Sequence, residues 1–284
     1  MSWLIQPRPD AIPSGPVEAR KLIMTFMECQ NQAEIESIKV WVGNIHLNLS
    51  DLVQIQFFDG PVDEFHLKGD FHQYHGIGWK LKSGKILIDG DFGSRVGAEM
   101  AGGSIELHGN CGAWAGVAMS GGQLIIHGNA GDWLGANWPG EAKGMTGGEI
   151  LVHGNAGDHT GACMRRGTIA IAGSTGSGLG RDMIAGSIFV AGSVSRYPGL
   201  GMKRGSIVIA NQNQIDLELL PSFSPDGNFR PLTLDMQLHY LAENGWNEAN
   251  EMLKQRHCQR FYGDRLSLGL GEIIFLGHDD PDGN

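Results

Sequence analysis

The chain has 284 residues, and its 44 glycines are about twice the share of an ordinary globular protein. The lack of a Gly-X-Y period excludes collagen, and an apolar share of 41% excludes a disordered chain. With 21 basic and 31 acidic side chains the formal charge is −10, which excludes general binding to a phosphate backbone. The apolar runs are shorter than the roughly 20 residues of a membrane span, and the start lacks a signal-peptide core, so we expect a cytoplasmic protein.

Residues 1–63 lack the glycine repeat that follows them and predict a small α/β cap. Short strands are expected at residues 21–26 and 38–42, with a helix at 32–37 between them. Repetitive folds need irregular ends of this kind, because a terminal repeat otherwise leaves its apolar face open to water.

From residue 64 to residue 211 a short phrase recurs: glycine, any residue, aliphatic, any residue, aliphatic. The interval is 19 residues except once, where it is 26 because seven extra residues fall between Gly135 and Met145. A methionine stands three residues before most opening glycines, and another glycine stands three residues before that methionine, or ten residues before it at Met145, where the extra residues intervene. The opening glycines are Gly84, Gly103, Gly122, Gly148, Gly167, Gly186 and Gly205.

Aliphatic residues at alternate positions predict a β-strand, and 19 residues are too few for a strand, a helix and two loops. The repeat therefore predicts a mainly β fold, a right-handed parallel β-helix of about eight 19-residue coils in which equivalent residues stack. Two inward aliphatic columns and the methionines should form its core. The first column is Ile86, Ile105, Leu124, Ile150, Ile169, Ile188 and Ile207, and the second is Ile88, Leu107, Ile126, Val152, Ile171, Val190 and Ile209.

An outward row lies between these two columns and is mostly apolar, although a row that faces solvent should be polar. We therefore expect the row to be covered by the C-terminal segment of the chain, by another subunit, or partly by each. The candidate partner interface consists of Leu87, Ile125, Leu151, Phe189 and Val208.

The next outward row stacks three histidines on adjacent coils, at a spacing that one metal ion could bridge: His108, His127 and His153. Repetition alone also stacks like side chains, and no carboxylate is expected at the same height. The favoured interpretation is therefore that the chain has no metal site, while contact of these histidines with a carrier stays open. The asparagines that follow the strands predict a ladder of turns: Asn110, Asn129 and Asn155.

The sequence shows no catalytic grouping, and its cofactor-binding residues stay unassigned. Residues 176–180 are rich in glycine like a phosphate loop, but they lack the preceding strand and following helix of a nucleotide-binding unit. No G-x-S-x-G, H-E-x-x-H or Walker motif occurs. The cysteines form no C-x-x-C pair and are expected to be reduced and buried: Cys29, Cys111, Cys163 and Cys258.

Residues 212–284 lose the repeat and predict a partly helical tail. Helical spacing of apolar residues extends over 233–242 and again over 246–256, and residues 271–275 predict a closing strand. A tail of this kind could lie against the apolar outward row. The side chains that carry the first helical pattern are Leu234, Leu238 and Leu241.

The repeat resembles the GXGXG β-helix shared by the C-terminal domain of the glutamate synthase large subunit and the C subunit of formylmethanofuran dehydrogenase. The Gly-Asn-Ala-Gly corners at 128–131 and 154–157 carry this resemblance. Further segments are similar to the bacterial relative, the C subunit of the formyltransferase/hydrolase complex: 164–169, 183–186, 198–205, 219–223 and 260–265.

This resemblance implies a non-catalytic scaffold subunit of a four-subunit complex in one-carbon metabolism. Such a complex moves the formyl group of formyl-tetrahydromethanopterin to a methanofuran-type carrier and hydrolyses it to formate. The D subunit carries the transferase and the A subunit carries the metal-dependent hydrolase, so this chain is expected to hold the D subunit against the A and B subunits. The resemblance assigns no catalytic residue and no cofactor to this chain itself.

Three alternatives stay open. The same type of subunit occurs in the archaeal molybdenum or tungsten formylmethanofuran dehydrogenase. An independent β-helical carbohydrate-active enzyme is a second possibility, although it needs charged side chains clustered on an outer sheet, and acidic columns are lacking here. A structural solenoid that polymerises through its ends is the third, and the irregular end segments disfavour it.

Overall fold

A computed structural model describes residues 2–23, 32–58, 63–210 and 219–277 of the chain. Over these residues the protein is mainly β, with one sheet of 13 strands and a second sheet of four strands. Every helix within the described ranges is too short or too polar to cross a membrane.

The first nine described elements are two short helices and seven strands, and these strands belong to the two sheets. They are β1 (Ser2–Pro7), β2 (Val17–Glu18), α1 (Gln32–Glu36), β3 (Lys39–Val42), β4 (Ile45–Asn48), α2 (Leu49–Leu52), β5 (Val53–Phe58), β6 (Glu64–Lys68) and β7 (Tyr74–His75). Strand β1 pairs antiparallel with β5 and parallel with β6, while β4, β3, β2 and β7 form the smaller sheet. The predicted helix at 32–37 and strand at 38–42 are confirmed. The strand predicted at 21–26 is wrong where it can be compared, because Leu22 and Ile23 are helical, and residues 24–26 lie outside the described ranges.

Seven strands of the repeat follow in chain order as parallel neighbours of the large sheet. They are β8 (Lys85–Asp89), β9 (Ala101–Leu107), β10 (Gly121–Ile126), β11 (Thr146–Val152), β12 (Arg166–Ile171), β13 (Ser187–Val190) and β14 (Arg204–Ile209). Their register pairs equivalent positions of successive repeats, so that Ile86 lies beside Ile105 and Ile105 beside Leu124. Both predicted aliphatic columns are buried over their whole length. We call each repeat one coil.

Successive coils also meet at a second place, away from the strands. A line of single parallel bridges joins Phe71, Phe92, Cys111, Ala130, Ala156, Thr175 and Val194, each to the next. The chain therefore returns to the same two lines once per repeat. The methionines of the repeat lie in the interior between these lines, and each from Met100 to Met202 is fully buried.

Glycine at the corner of a coil meets two demands at once. Gly116 has a φ of +60°, and a Cβ atom there would lie 2.5 Å from the Cδ1 atom of Ile150 on the next coil. Any larger residue is therefore strained in its backbone and also displaces the core column. The glycine recurs for this reason at the same offset in successive coils.

The cysteines within the described ranges are free thiols, as expected. Cys111 and Cys258 are buried, whereas Cys163 is only half-buried, so the expectation of burial is wrong at that position. The fourth cysteine, Cys29, lies outside the described residues.

The C-terminal elements close the large sheet and then cover part of its outer face. They are β15 (Ser224–Gly227), α3 (Leu232–Glu243), α4 (Glu248–Lys254), β16 (His257–Gly263) and β17 (Leu270–Gly277). Strand β17 continues the parallel order beside β14, and β16 and β15 add antiparallel strands at the edge. The two predicted helices and the closing strand are confirmed.

Candidate functional site

Helices α3 and α4 cover the outward row on the later coils. Leu151 and Phe189 are fully buried and Val208 is 1% exposed, in one apolar cluster with the buried faces of the two helices. The ring centroids of Phe189 and Trp246 lie 6.4 Å apart. This corrects the predicted partner interface at these three positions, because the amphipathic helices of the chain itself bury them.

On the earlier coils the outward row is only partly covered. Leu87 is half-buried, and Ile125 is half-buried at the edge of the helical cluster. Glu106 stands between them in the same row. Leu87 and Ile125 therefore remain available as candidate contacts for a partner, and the polar side chain between them interrupts the apolar surface.

Glu106 joins two of the stacked histidines into one cluster. Its Oε1 atom lies 3.2 Å from Nε2 of His108 and 3.3 Å from Nε2 of His127. The other ring nitrogen of His108, Nδ1, lies 2.6 Å from Oδ1 of Asp89. The expectation that no carboxylate accompanies the histidines is thus wrong, because Glu106 on β9 and His108 directly after that strand are two residues apart and share a face.

His153 continues the stack without joining this cluster. Its ring lies 4.9 Å from that of His127, and the two planes are 7° apart. Within the described parts of the chain, the group of side chains placed to hold a metal ion is Glu106, His108 and His127.

The cluster shifts the protonation of its members. Burial of the Glu106 carboxyl disfavours its charged form, but hydrogen bonds from His127 and His108 outweigh burial and hold the pKa of Glu106 below its ordinary value. The hydrogen bond to Asp89 raises the pKa of His108. Burial lowers the pKa of His153, and the nearby His127 lowers it further. The arrangement favours positive charge on His108, between two carboxylates.

The asparagine ladder holds successive coils together. The Oδ1 atom of Asn110 accepts a hydrogen bond from the backbone N–H of Asn129 at 2.8 Å. Asn129 accepts one in the same way from Asn155, also at 2.8 Å. The predicted ladder of turns is confirmed, and its side chains form hydrogen bonds between coils.

The glycine-rich segment 176–180 is unsuited to phosphate. The backbone N–H of Ser177 donates to Oδ1 of Asp158 at 2.6 Å, so a carboxylate of the preceding coil already lies against this loop. A bound phosphate would face that negative charge, and no helix begins at the segment to favour it.

A column of aromatic rings on one flank was missed by the sequence reasoning. The rings of Trp114 and Trp133 lie 5.0 Å apart with planes 3° from parallel, Trp138 lies 5.7 Å from Trp114, and His159 lies 4.3 Å from Trp133. Trp114 and Trp133 have φ values of +67° and +63°, a conformation that costs a bulky residue about 1–3 kcal/mol. The signal was present, because positions 114, 133 and 159 repeat the spacing of the opening glycines.

No protein-family model matches the chain. It is 37% identical over 97 residues to the C subunit of the molybdenum-containing formylmethanofuran dehydrogenase 1 from Methanothermobacter marburgensis, over 34% of this chain and 24% of that protein. It is 34% identical over 84 residues to the C subunit of the tungsten-containing formylmethanofuran dehydrogenase 2 from Methanococcus maripaludis, over 30% and 31% of the two chains. The chain thus spans between about a quarter and a third of the length of these curated relatives.

The structural similarity extends over the whole chain. A chain of the X-ray crystal structure of the formyltransferase/hydrolase complex from Methylorubrum extorquens, in complex with methylofuran, has a TM-score of 0.86 and 30% sequence identity. The match covers 97% of this chain and 100% of that chain. The protein belongs to the family of formylmethanofuran dehydrogenase C subunits. The resemblance to the C subunits of formylmethanofuran dehydrogenase is therefore confirmed.

Proposed function

We propose that this C subunit is a non-catalytic scaffold of a cytoplasmic formyltransferase/hydrolase complex that converts formyl-tetrahydromethanopterin to formate through a methanofuran-type carrier. The observation that carries the proposal is the end-to-end similarity to a chain of the Methylorubrum extorquens complex. The asparagine ladder supports a structural role, because its side chains accept hydrogen bonds from the backbone of the next coil.

The shape that suits this role is a right-handed parallel β-helix over residues 64–211, with an N-terminal α/β cap at 1–63 and a C-terminal tail at 212–284. Parallel, in-register strands and a second line of bridges support this assignment. Stacked coils form a stiff body because each coil packs on both neighbours, and a stiff body can hold two enzymes at a fixed distance.

The proposed partners are the formyltransferase (D) subunit and the A and B subunits of the same complex. The carrier, tetrahydromethanopterin and the catalytic metal are assigned to those subunits. Leu87 and Ile125 supply half-buried apolar contacts on one face of this chain. The rings of Trp114 and Trp133 supply a rigid aromatic surface on another flank, and tryptophan is the residue type enriched where interface energy concentrates.

Purification through a tag on this chain from its native host tests the proposal. We expect three other subunits to copurify, and the charge introduced by Leu87→Glu should weaken their retention while the far-UV circular dichroism of the chain stays unchanged. Met236→Glu is the matched control, because Met236 lies on α3 and is 66% exposed. Elution of the chain alone under gentle lysis would count against a scaffold role.

The archaeal alternative, the C subunit of a molybdenum or tungsten dehydrogenase, is less favoured because those relatives match only about a third of this chain. Metal analysis of the purified complex decides between the two, since only the dehydrogenase should contain molybdenum or tungsten. An independent carbohydrate-active enzyme would instead cleave uronate polymers as a lone chain.

A further inference from the structure

We propose that Glu106, His108 and His127 bind one divalent transition-metal ion of the zinc type. The three residues offer one carboxylate oxygen and two imidazole nitrogens, and these ligand atoms lie within 4.8 Å of one another. The proposal concerns side chains of this chain alone and does not depend on the scaffold role. It replaces the sequence-based expectation of no metal site.

Two of the three distances between ligand atoms in the cluster match those of a zinc tetrahedron. Zinc–nitrogen and zinc–oxygen bonds of about 2.0–2.1 Å place neighbouring ligand atoms about 3.3 Å apart. Oε1 of Glu106 lies 3.2 Å and 3.3 Å from the two histidine Nε2 atoms, so two of the three edges already have this length. The ligand atoms of the two histidines lie within 4.8 Å of each other, and binding of the ion requires the partly exposed rings to rotate so that this third distance shortens.

Two neighbouring side chains orient the ligands. Asp89 holds the Nδ1 side of His108 at 2.6 Å, which leaves Nε2 of that ring directed at Glu106. A carboxylate on the far nitrogen of a ligating histidine is the usual outer partner in zinc sites, because it fixes the ring and increases its basicity. Lys85 lies 3.4 Å from Oε2 of Glu106, so Oε1 is the carboxylate oxygen left for the ion.

The backbone beneath the cluster is fixed by the large sheet. The N–H of His108 donates to the carbonyl of Ile88, and the N–H of His127 donates to that of Leu107, each at 2.8 Å. Glu106 thus lies on β9, and the two histidines directly follow β9 and β10 with their backbones still bonded to the preceding coil, which holds a site more precisely than a free loop does.

The donor set and the exposure define the ligand. Two imidazole nitrogens with one carboxylate suit zinc and its neighbours, whereas magnesium and calcium prefer oxygen ligands alone. The three side chains are 27–44% exposed, so water can complete the coordination.

Titration of the full-length, tag-free, chelator-treated chain with zinc chloride in a calorimeter tests the proposal. We expect one zinc ion per chain, no response to magnesium, and visible absorption bands of tetrahedral cobalt when Co²⁺ replaces zinc. Glu106→Gln and His127→Ala should each weaken zinc binding by at least about tenfold, and Asp89→Asn should weaken it by about 10–100-fold.

His72→Ala is the matched control. His72 is an exposed histidine whose Nδ1 contacts Asp70 at 2.8 Å, but it belongs to no three-ligand cluster within the described residues, so the variant should bind zinc like the unaltered chain. Less than half an equivalent of zinc bound to the unaltered chain overturns the proposal, as does unchanged affinity in Glu106→Gln. The conservative Glu106→Gln variant alone decides the matter if circular dichroism shows that His127→Ala is unfolded.

Discussion

Shortening Phe189 should measure how strongly the C-terminal helices hold the coils. The side chain is fully buried and packs against Trp246, at a ring distance of 6.4 Å. A buried phenylalanine removes about 150 Å² from water, and about 25 cal/mol per Å² gives about 4 kcal/mol. Alanine keeps part of that area, while the cavity left behind adds to the loss. We therefore expect Phe189→Ala to lower the free energy of unfolding by about 3–4 kcal/mol.

Guanidinium unfolding of the lone chain, followed by circular dichroism, gives this number. Tyr240→Ala is the control, because Tyr240 is on the same helix α3 but is 53% exposed, and its loss should cost less than about 0.5 kcal/mol. A loss below about 1 kcal/mol for Phe189→Ala would refute the reasoning. Unchanged stability with loss of partner subunits would show that another chain, and not α3 and α4, covers Phe189.

Three further predictions concern buried or close-packed positions of the repeat region. Gly116→Val should leave little soluble protein, since its Cβ meets Ile150 at 2.5 Å and its φ is +60°; soluble yield equal to that of a neutral surface variant would contradict this. Glu149→Gln should stabilise the chain at pH 7, because burial raises the pKa of Glu149 above its ordinary 4.5, and a raised pKa removes stability as pH rises through the folded-state value. Thermal melting between pH 4 and pH 8 should show the variant gaining on the unaltered chain with rising pH, and parallel curves would disprove the assignment. Burial also raises the pKa of Cys111 to about 12, so a thiol reagent at pH 8 should label Cys111 only after unfolding; labelling of the folded chain at the rate of a free thiol would contradict it.

The repeat made the coils predictable because a fixed offset in the sequence becomes a neighbour in space. Ile105 lies beside Ile86 for that reason, and the offset of 26 before β11 changes only the loop. The pairing of β1 with β5 had no such signal, since Trp3 pairs with Phe57 through residues that follow no repeat. Tertiary pairing decides those strands, and one sequence does not display it.

The outer surface was harder to predict than the core. An apolar outward row indicates that something covers it, but both a helix of the same chain and another subunit bury Phe189 equally well. Glu106 was overlooked for a different reason. The sequence reasoning compared only residues at the same position of successive repeats, and Glu106 and His108 occupy different positions. In an extended chain, however, residues two apart lie on the same face.

The inserted loop has a consequence for how the coils unfold. Trp138 reaches back across one whole coil and donates its indole N–H to Oε1 of Glu99 at 3.1 Å, the same oxygen that accepts from Trp79. In an array where each unit touches only the next, melting can begin at an end and advance one unit at a time. The hydrogen bond between Trp138 and Glu99 skips one coil and so links three coils into a single cooperative block. Unfolding that starts at an end of the array should therefore stop at these three coils.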